Sequence, residues 1–301
     1  MKKIIFFFEP AWAFGAIHYE LCKQLWGYGF DCQLLPWNQS YSLAEIHALI
    51  DTTDLFVTSP HGWKVLGYDH NYKIIDPRQC VVINHARTDM EELIQRHGTD
   101  EYHKFHRYGA VSGWLANLSL ELGVTRPAFI TPLGINTSSF YSKPNDSLQV
   151  VGCTSLKHYG VHQNIKRPWL LPPVVEQAGL TLKSASSYHH SFVTMPGFYK
   201  SVDALLVSSS EEGAGLPVLE AGAAGKLVIS TPVGHWNTRV GNLGGDSVPI
   251  PENEFIEKTV ELLSYYKSNP EKYRQRCLEI QHHAQSYDWK YVIDKWVEIL
   301  S

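Results

Sequence analysis

The length, composition and charge of the chain exclude several classes of protein. Its 301 residues exceed what a single hydrophobic core usually serves, so we expect two α/β domains. A net charge of −4 provides no basic field, so no nucleic-acid partner is expected. No apolar run is long enough to cross a bilayer, so no transmembrane segment is expected either. Nothing in the sequence points to a particular oligomeric state.

The five cysteines are scattered and odd in number, which fits neither a disulfide framework nor a zinc site. Reduced thiols in a cytoplasmic protein explain them best. The opening residues, MKKIIFFFEP, end their apolar run at Glu9 and Pro10, where a secretory signal peptide would continue. This run therefore predicts a first buried strand, and the chain is predicted to be cytoplasmic.

In the first half of the chain, apolar runs of strand length alternate with helical periodicity. This alternation favours a parallel sheet with crossover helices. The first run, at 3–8, is apolar on both faces, as a central parallel strand is. Further strands are predicted at 31–35, 54–58, 80–84, 108–112 and 127–131. Predicted helices carry apolar side chains at Ile17, Leu21 and Leu25, and at Trp114, Leu115, Leu118 and Leu122.

The polar, turn-rich segment YSKPNDS at 141–147 is the best candidate for a linker. After it the α/β pattern restarts, which predicts a second Rossmann-like domain. Its predicted strands lie at 148–152, 180–184, 204–208 and 227–230, and its predicted helices at 165–178, at 196–203 and from Pro217. The resulting domain limits are 1–143 and 148–285, followed by a C-terminal segment at 286–301.

The C-terminal residues are predicted to be helical. Ser268 and Asn269 precede Pro270, and this order is typical of a helix start. We expect the last helix, at 286–301, to return toward the N-terminal domain and to bury its apolar stripe on one domain or across both. The stripe consists of Trp289, Val292, Ile293, Trp296, Ile299 and Leu300.

The most informative passage is SSSEEGAGLPVLEAGAAGKLVISTPVG, at 208–234. A predicted buried strand ends at Ser208, a loop follows with Gly213 and Gly215, and Pro217 occupies the natural first position of a helix. This arrangement binds phosphate groups, because free backbone N–H groups and the positive end of the helix dipole face the anion. The passage therefore predicts an anion site.

Two carboxylates flank the predicted anion site. Glu212 lies in the loop, and Glu220 lies one turn into the helix. Carboxylates are poor ligands for phosphate, but they accept hydrogen bonds from sugar hydroxyls, each worth about 1.5–3 kcal/mol when buried. We therefore expect one of them to bind a ribose and the other a transferred sugar.

The same passage resembles the E-x7-E signature of retaining GT-B glycosyltransferases, particularly the large family four. It reads EGAGLP, LEAGAAG and KLVIS in register, with Glu212 and Glu220 eight positions apart. The resemblance implies the GT-B fold, in which two Rossmann-like domains enclose an interdomain cleft and a C-terminal helix packs back across them. It makes 1–143 the acceptor-side domain and 148–285 the domain that binds the donor nucleotide.

The resemblance also implies roles at the donor site. Glu220 would hold the ribose hydroxyls, Glu212 would lie near the hydroxyls of the donor sugar, and the backbone of Gly215 and Leu216 would contact phosphate. Ala214 replaces the aromatic residue usual in the family, which affects the sugar pocket. The full donor-binding set implied is Gly15, Lys166, Arg167, Glu212, Gly213, Ala214, Gly215, Leu216, Pro217 and Glu220.

Family members place a basic pair against the donor pyrophosphate. Lys166 matches the family's lysine best, and Arg167 follows it. The arginine usual after the first strand of this domain is absent, and Thr154 and Ser155 stand in its place. Lys157 is a point charge that could substitute for it, although without a bidentate fork.

In the N-terminal domain, the resemblance draws attention to three histidines and one glycine. His85 follows the predicted strand at 80–84, at the edge of the sheet where ligands bind, and a family histidine in this register faces the donor sugar. His85, Glu212 and Lys166 are thus the catalytic candidates. His61 and His18 are candidates for contacts with the acceptor. Gly15 falls in the family's opening glycine loop.

No Asp-x-Asp motif occurs in the sequence, so we expect no metal and no other cofactor. The helix N-terminus near Leu216 and the charge of Lys166 would then stabilise the leaving group. The resemblance implies a front-face substitution with retention of configuration.

The implied partners are a nucleotide-sugar donor and a carbohydrate or other small hydroxyl acceptor, with hexose as the favoured sugar. Two alternatives stay open: a sugar-nucleotide epimerase of the same fold, and a non-catalytic subunit that binds sugar nucleotides. Only a transferase forms a new glycosidic bond.

Overall fold

The computed structural model describes residues 1–9, 12–37, 39–66, 75–156, 161–185, 192–234 and 246–301. The chain divides into two compact units. The first comprises Met1–Gly134 together with Trp289–Ser301, and the second comprises Ile135–Asp288. The second unit thus begins at residue 135, whereas the boundary predicted from the sequence lies between 143 and 148.

The first unit is an α/β unit around one parallel sheet. In chain order its elements are β1 (Lys2–Phe8), α1 (Trp12–Trp26), β2 (Phe30–Pro36), α2 (Leu43–Ile50), β3 (Leu55–Thr58), α3 (Pro60–Lys64), β4 (Cys80–Asn84), α4 (Arg87–His97), α5 (Glu101–Lys104), β5 (Arg107–Ala110), α6 (Gly113–Glu121) and β6 (Phe129–Ile130). All strand pairs are parallel, in the order β2-β1-β3-β4-β5-β6. The parallel sheet predicted for this half is confirmed.

The central strands of this sheet are buried on both faces. Phe6, Phe7 and Phe8 are successive residues of β1, and each is 0% exposed. Because successive side chains of a strand point to opposite faces, protein must cover both sides of the sheet. This burial explains why β1 and β4 are continuous apolar runs in the sequence.

The second unit is also an α/β unit with a parallel sheet. Its elements are α7 (Thr137–Phe140), β7 (Val150–Cys153), α8 (Val161–Lys166), α9 (Leu171–Gln177), β8 (Thr181–Ser184), α10 (Met195–Lys200), β9 (Ala204–Val207), α11 (Leu216–Ala223), β10 (Leu227–Ser230), β11 (Asp246–Ser247), α12 (Glu252–Ser268) and α13 (Pro270–Ala284). The strands pair in the order β11-β10-β9-β7-β8. The sequence did not predict β11, because its two polar residues form no apolar run.

Both sheets reverse their winding direction once. In the second unit the chain passes from β7 to β8 on one side, and the next strand, β9, lies on the other side of β7. The same reversal lies between β1 and β3 in the first unit. In open α/β sheets, ligands bind beyond the carboxyl ends of the two strands at such a reversal.

The helix predicted at 165–178 is divided into separate segments. α8 ends at Lys166, Arg167 adopts a left-handed conformation with φ of 47°, and a 3-10 helix at Pro168–Leu170 leads into α9. Proline disfavours a helical conformation in the residue before it, so Pro168 explains the break at Arg167. Nowhere in the described ranges does a helix combine the length and apolar character needed to cross a membrane.

The predicted linker at 141–147 is anchored to the second unit. The hydroxyl of Ser142 donates a hydrogen bond to the carbonyl of Ala224 at 2.6 Å. The amide of Asn145 donates to the carboxylate of Asp203. These bonds explain why a polar, turn-rich segment packs on this unit and does not act as a linker.

The last helix, α14 (Trp289–Leu300), packs on the first unit. All six residues of the predicted apolar stripe are buried, which confirms that prediction. The indole N–H of Trp296 also donates to the carbonyl of Pro132 at 2.9 Å. A Cβ atom at Gly134 would lie 2.5 Å from the ring of Trp289, so glycine permits the close approach at this point.

We predict that Trp296→Ala destabilises the protein by about 3–5 kcal/mol, because it leaves a large cavity and an unpaired carbonyl. Tyr291→Ala is the matched control, since Tyr291 lies on the same helix and is 62% exposed. The control should stay within about 0.5 kcal/mol of the wild type. Urea unfolding of both variants measures the difference. Equal stabilities for the two variants would show that α14 is not docked as described.

Candidate functional site

The loop after β9 is fixed by hydrogen bonds to neighbouring segments. The Ser208 hydroxyl donates to the carbonyl of Lys166 at 2.7 Å. The backbone N–H of Ser210 donates to the carbonyl of Ile165 at 2.8 Å. On the other side, the Thr231 hydroxyl donates to the carbonyl of Ser209 at 2.5 Å. The loop is therefore held between the end of α8 and the end of β10.

The N-terminus of α11 carries no side-chain cap. Gly215 is the N-cap residue and has a φ of 74°, a left-handed value that favours glycine. The chain after β10 packs closely here, because a Cβ atom at Gly234 would lie 2.5 Å from the carbonyl oxygen of Ala214. The first N–H groups of a helix have no partner within it, so this end of α11 can accept an anion.

Lys166 and Glu212 form an ion pair beside this helix N-terminus. The Nζ atom of Lys166 lies 2.5 Å from Oε1 of Glu212, and the Ser209 hydroxyl donates to the same oxygen at 2.7 Å. Both charged side chains are largely shielded from solvent, with 23% and 16% exposure. The structure thus brings together two of the three predicted catalytic residues.

This ion pair forms part of the lining of a pocket at the carboxyl edge of the second sheet. Residues after β7, at the end of β9, after β10 and at the start of α11 line it, which places it at the reversal between β7 and β9. The lining residues are Thr154, Ser155, Lys166, Leu206, Val207, Ser209, Glu212, Gly215, Pro217, Val218 and Val233.

Glu220 lies one turn along α11 from the pocket and does not line it. Its side chain is partly buried, and its Oε2 atom accepts a hydrogen bond of 2.8 Å from the hydroxyl of Tyr199. Burial raises the pKa of Glu220 to about 7, while the bond from Tyr199 acts in the opposite direction. The folded protein therefore resists ionisation of this carboxyl.

Arg167 does not line the pocket. Its side chain is 6% exposed, and its Nε donates to the carbonyl of Ser208 at 2.6 Å. A terminal nitrogen donates to the carbonyl of Ile250, and the guanidinium lies over the ring of Phe255, 5.6 Å from its centroid. The contacts of Arg167 brace the loop after β9, whereas the resemblance implied a contact with phosphate.

Two predicted histidines lie together at the carboxyl edge of the first sheet. His18 is fully buried and stacks on Phe8, with 3.7 Å between ring centroids. The ring of His85 lies 5.8 Å from His18 and 5.6 Å from Phe8. Burial, with a smaller contribution from His18, holds the pKa of His85 well below its ordinary value of 6.5. His85 is therefore neutral at pH 7.

The remaining predicted residues of the first unit occupy separate positions. His61 lies on α3 and packs edge-on against Trp37, with 5.0 Å between centroids. Gly15 lies within α1, whereas the resemblance implied a glycine loop there. The prediction for Lys157 falls outside the described residues. Within the described ranges, no cluster of three or more metal-ligating side chains occurs.

Some residues of the site were not predicted from the sequence. Thr154 and Ser155 line the pocket, although they were noted only as replacements for an absent arginine. Ser209 lies within the informative passage at 208–234, and the run of serines at 208–210 was the available signal. No local signal pointed to Tyr199, because its bond to Glu220 joins residues 21 positions apart.

Comparisons with known proteins agree with this architecture. Residues 170–265 match the family model described as Glycosyl transferases group 1. The range contains β9, the glycine loop, α11 and β10, so the resemblance predicted from the sequence is confirmed over the part that carries the motif. No curated protein matches the chain by sequence.

Solved structures match the whole length of the chain. HepE from Anabaena, in complex with UDP and glucose, has a TM-score of 0.72 and 13% identity, covering 100% of this chain and 99% of its own. The chain has the GT-B fold. Sucrose-phosphate synthase from Thermosynechococcus elongatus has a TM-score of 0.73 and 12% identity, with coverage of 100% and 98%. The catalytic domain of starch synthase IV from Arabidopsis thaliana, bound to ADP and acarbose, has a TM-score of 0.71 and 12% identity, with coverage of 99% and 98%.

We predict that Glu220→Gln stabilises the protein at alkaline pH. The pKa of Glu220 is about 7 in the folded protein against an ordinary value of 4.5, so the folded state holds the proton more tightly between these values. Wild-type stability should therefore fall as the pH rises from 4.5 to 7, by at most about 3 kcal/mol, and glutamine should remove this loss.

Thermal unfolding at pH 5 and pH 8 measures the effect. Glu261→Gln is the control, because Glu261 is 63% exposed and should show no comparable difference. A Glu220→Gln variant that is less stable than the wild type at pH 8 would mean that the carboxylate stabilises the fold.

Proposed function

We propose that the chain is a retaining, metal-independent glycosyltransferase. It moves a sugar, with hexose favoured, from a nucleoside-diphosphate sugar to a carbohydrate or other small hydroxyl acceptor. The observation that carries the proposal is the pocket at the reversal of the second sheet, where Lys166, Glu212 and the uncapped N-terminus of α11 meet. The family match over 170–265 supports the same reaction class.

The pocket suits a diphosphate on electrostatic grounds. An anion at the start of α11 would face the positive end of the helix dipole and the backbone near Gly215. Lys166 now pairs with Glu212, and a bound diphosphate would compete with this carboxylate for the ammonium group. Thr154 and Ser155 line the same pocket, and a hydroxyl side chain can donate a further hydrogen bond.

The two glutamates suit the sugar ends of the donor. Among the described residues, the two hydrogen bonds to Glu212 both reach Oε1, which leaves Oε2 for a hydroxyl of the transferred sugar. Glu220 lies a turn farther along α11, where we place the ribose of the nucleotide. This assignment gives each carboxylate a different sugar.

The proposed reaction replaces one bond at the anomeric carbon by another on the same face. The bond from this carbon to the diphosphate oxygen breaks, and a bond to the acceptor oxygen forms. The departing phosphate takes the proton of the acceptor hydroxyl. Lys166 and the N-terminus of α11 stabilise the charge that develops on the phosphate, so this scheme needs no metal.

His85 is the proposed catalytic residue of the first unit. Its low pKa keeps the imidazole neutral, so it can donate one hydrogen bond to the transferred sugar or orient the acceptor hydroxyl. We keep His18 and His61 as candidates for contacts with the acceptor. All five cysteines are free, which supports the proposed cytoplasmic location.

The structural neighbours suggest which donors to test first. HepE was solved with UDP-glucose, and starch synthase IV with ADP and acarbose. These ligands are nucleotides and carbohydrates, the two classes that we propose for this chain. UDP- and ADP-sugars are therefore the first donors to test, followed by GDP-sugars.

We predict that one series among UDP-, GDP- and ADP-sugars raises the melting temperature of the wild type. A ligand specific for the folded state adds about 2.7 kcal/mol of stability at a hundredfold excess over its Kd. Glu220→Ala should lose most of this shift, whereas Glu261→Ala should keep it. Absence of any shift with all three series at millimolar concentration contradicts the proposed donor site.

We predict that His85→Ala abolishes sugar transfer while nucleoside-diphosphate binding survives, because the donor nucleotide binds in the other unit. Product analysis with the stabilising donor and a panel of oligosaccharides measures transfer. His103→Ala is the control, since His103 is exposed and bonds to Thr125. Unchanged turnover in His85→Ala removes this residue from the mechanism. A rearranged donor sugar without a new glycosidic bond, formed by the wild type, identifies an epimerase.

A further inference from the structure

Glu220 is held on one side by a buried tyrosine. Tyr199, on α10, is 0% exposed and donates a hydrogen bond of 2.8 Å to Oε2 of Glu220. The rings of Phe140 and Phe198 pack edge-on against Tyr199, at 5.9 Å and 5.3 Å between centroids. These contacts fix the position of the phenol, so its hydroxyl reaches Glu220 from a rigid support.

The other carboxylate oxygen is available for a ligand. Among the described residues, Oε1 of Glu220 has no hydrogen-bond partner, although the side chain is only partly exposed. Burial and the neighbouring carboxyl hold the pKa of Tyr199 well above its ordinary value. The phenol therefore stays protonated, and it remains a donor throughout the neutral range.

We propose that Tyr199 is a positioning residue of the donor site, which holds one oxygen of Glu220 so that the other accepts hydrogen bonds from the ribose hydroxyls. This inference rests on the proposed function and adds a residue that the E-x7-E motif does not contain. Tyr199 touches no substrate and acts only through Glu220.

The hydrogen bond from Tyr199 also gives a reason for the partly buried position of Glu220. A free carboxylate side chain has several rotamers, and ordering it on binding costs conformational entropy. The bond from Tyr199 selects one orientation before the ligand arrives. A carboxylate oriented in this way discriminates ribose from 2′-deoxyribose, because without the 2′-hydroxyl the oriented oxygen loses one of its hydrogen bonds in the complex.

The test uses the full-length chain and the nucleoside diphosphate, among UDP, GDP and ADP, that binds the wild type. Calorimetric titrations give the Kd of this ribonucleotide and of its 2′-deoxy form. The wild type should prefer the ribonucleotide by about tenfold or more, which corresponds to one buried hydrogen bond to a charged group. Tyr199→Phe should reduce this preference to about twofold or less, mainly by weakening ribonucleotide binding.

Tyr273→Phe is the matched control. Tyr273 belongs to the same unit, is also 0% exposed, and donates its hydroxyl hydrogen to the carbonyl of Asp203 at 3.0 Å. Loss of this hydroxyl should leave the preference for ribose unchanged, even where it lowers stability. A structural role of Tyr199 would affect stability in the same way as this control and would not alter the discrimination.

A double variant distinguishes a failure of the positioning role of Tyr199 from a failure of the proposed donor site. In a Glu220→Gln background, Tyr199→Phe should have little further effect on the preference, because both substitutions remove the same oriented carboxylate. If the wild type and Tyr199→Phe both bind the ribonucleotide and prefer it equally over its 2′-deoxy form, the positioning role is wrong and the proposed donor site stands. If no nucleoside diphosphate binds the wild type, both are wrong.

Discussion

The site depends on the reversal of winding between two neighbouring parallel strands. In the second sheet, β7 and β9 are neighbours, but the chain leaves β7 toward β8 on the far side. The carboxyl edge between β7 and β9 is therefore not covered by the connection from β7, and the pocket lies at this edge. The first sheet has the same reversal between β1 and β3, where Phe8 ends β1 and stacks on His18. The same kind of reversal thus places the pocket of the second unit and the Phe8–His18 pair of the first.

Buried polar groups keep the edge of the second sheet in place, and some of them are unfavourable for the fold alone. Arg167 adopts a left-handed backbone conformation and buries a guanidinium to hold the carbonyl of Ser208. Glu220 is buried enough for its pKa to rise to about 7, so the folded protein resists its ionisation. Such local costs are typical of functional sites, where the geometry that a ligand needs differs from the geometry that is most stable.

Much of the fold could be predicted because its signals are local. The strands at 80–84 and 227–230 have the bounds that their apolar runs indicate, and the stripe of the last helix is buried as its periodicity predicts. The division of the helix predicted at 165–178 was less visible, because it depends on how Pro168 and Arg167 meet the loop after β9. The segment at 141–147 has the composition of a linker, but its side chains bond to distant residues of the second unit.

In the candidate site, too, the local motif could be predicted from the sequence, but the contacts between distant residues could not. Glu212 and Glu220 lie in one continuous motif, so the sequence identified them together. The partners that orient them come from elsewhere: Lys166 lies 46 positions before Glu212, and Tyr199 lies 21 positions before Glu220. Lys166 was found only through the resemblance, and Tyr199 was not found, because a tyrosine before a strand is an ordinary core residue. Contacts of this kind require the crossover geometry that brings α8 and α10 to the edge of the sheet.

The central claim is that the diphosphate of the donor binds at the start of α11, beside Lys166. A crystal structure of the chain with the nucleoside diphosphate that stabilises it, chosen from UDP, GDP and ADP, tests this claim most directly. The account predicts that phosphate oxygens lie within hydrogen-bond distance of backbone N–H groups at 213–216 and of the Lys166 ammonium group, with the ribose hydroxyls on Glu220. A nucleotide bound away from α11, with Lys166 still paired to Glu212, would contradict it.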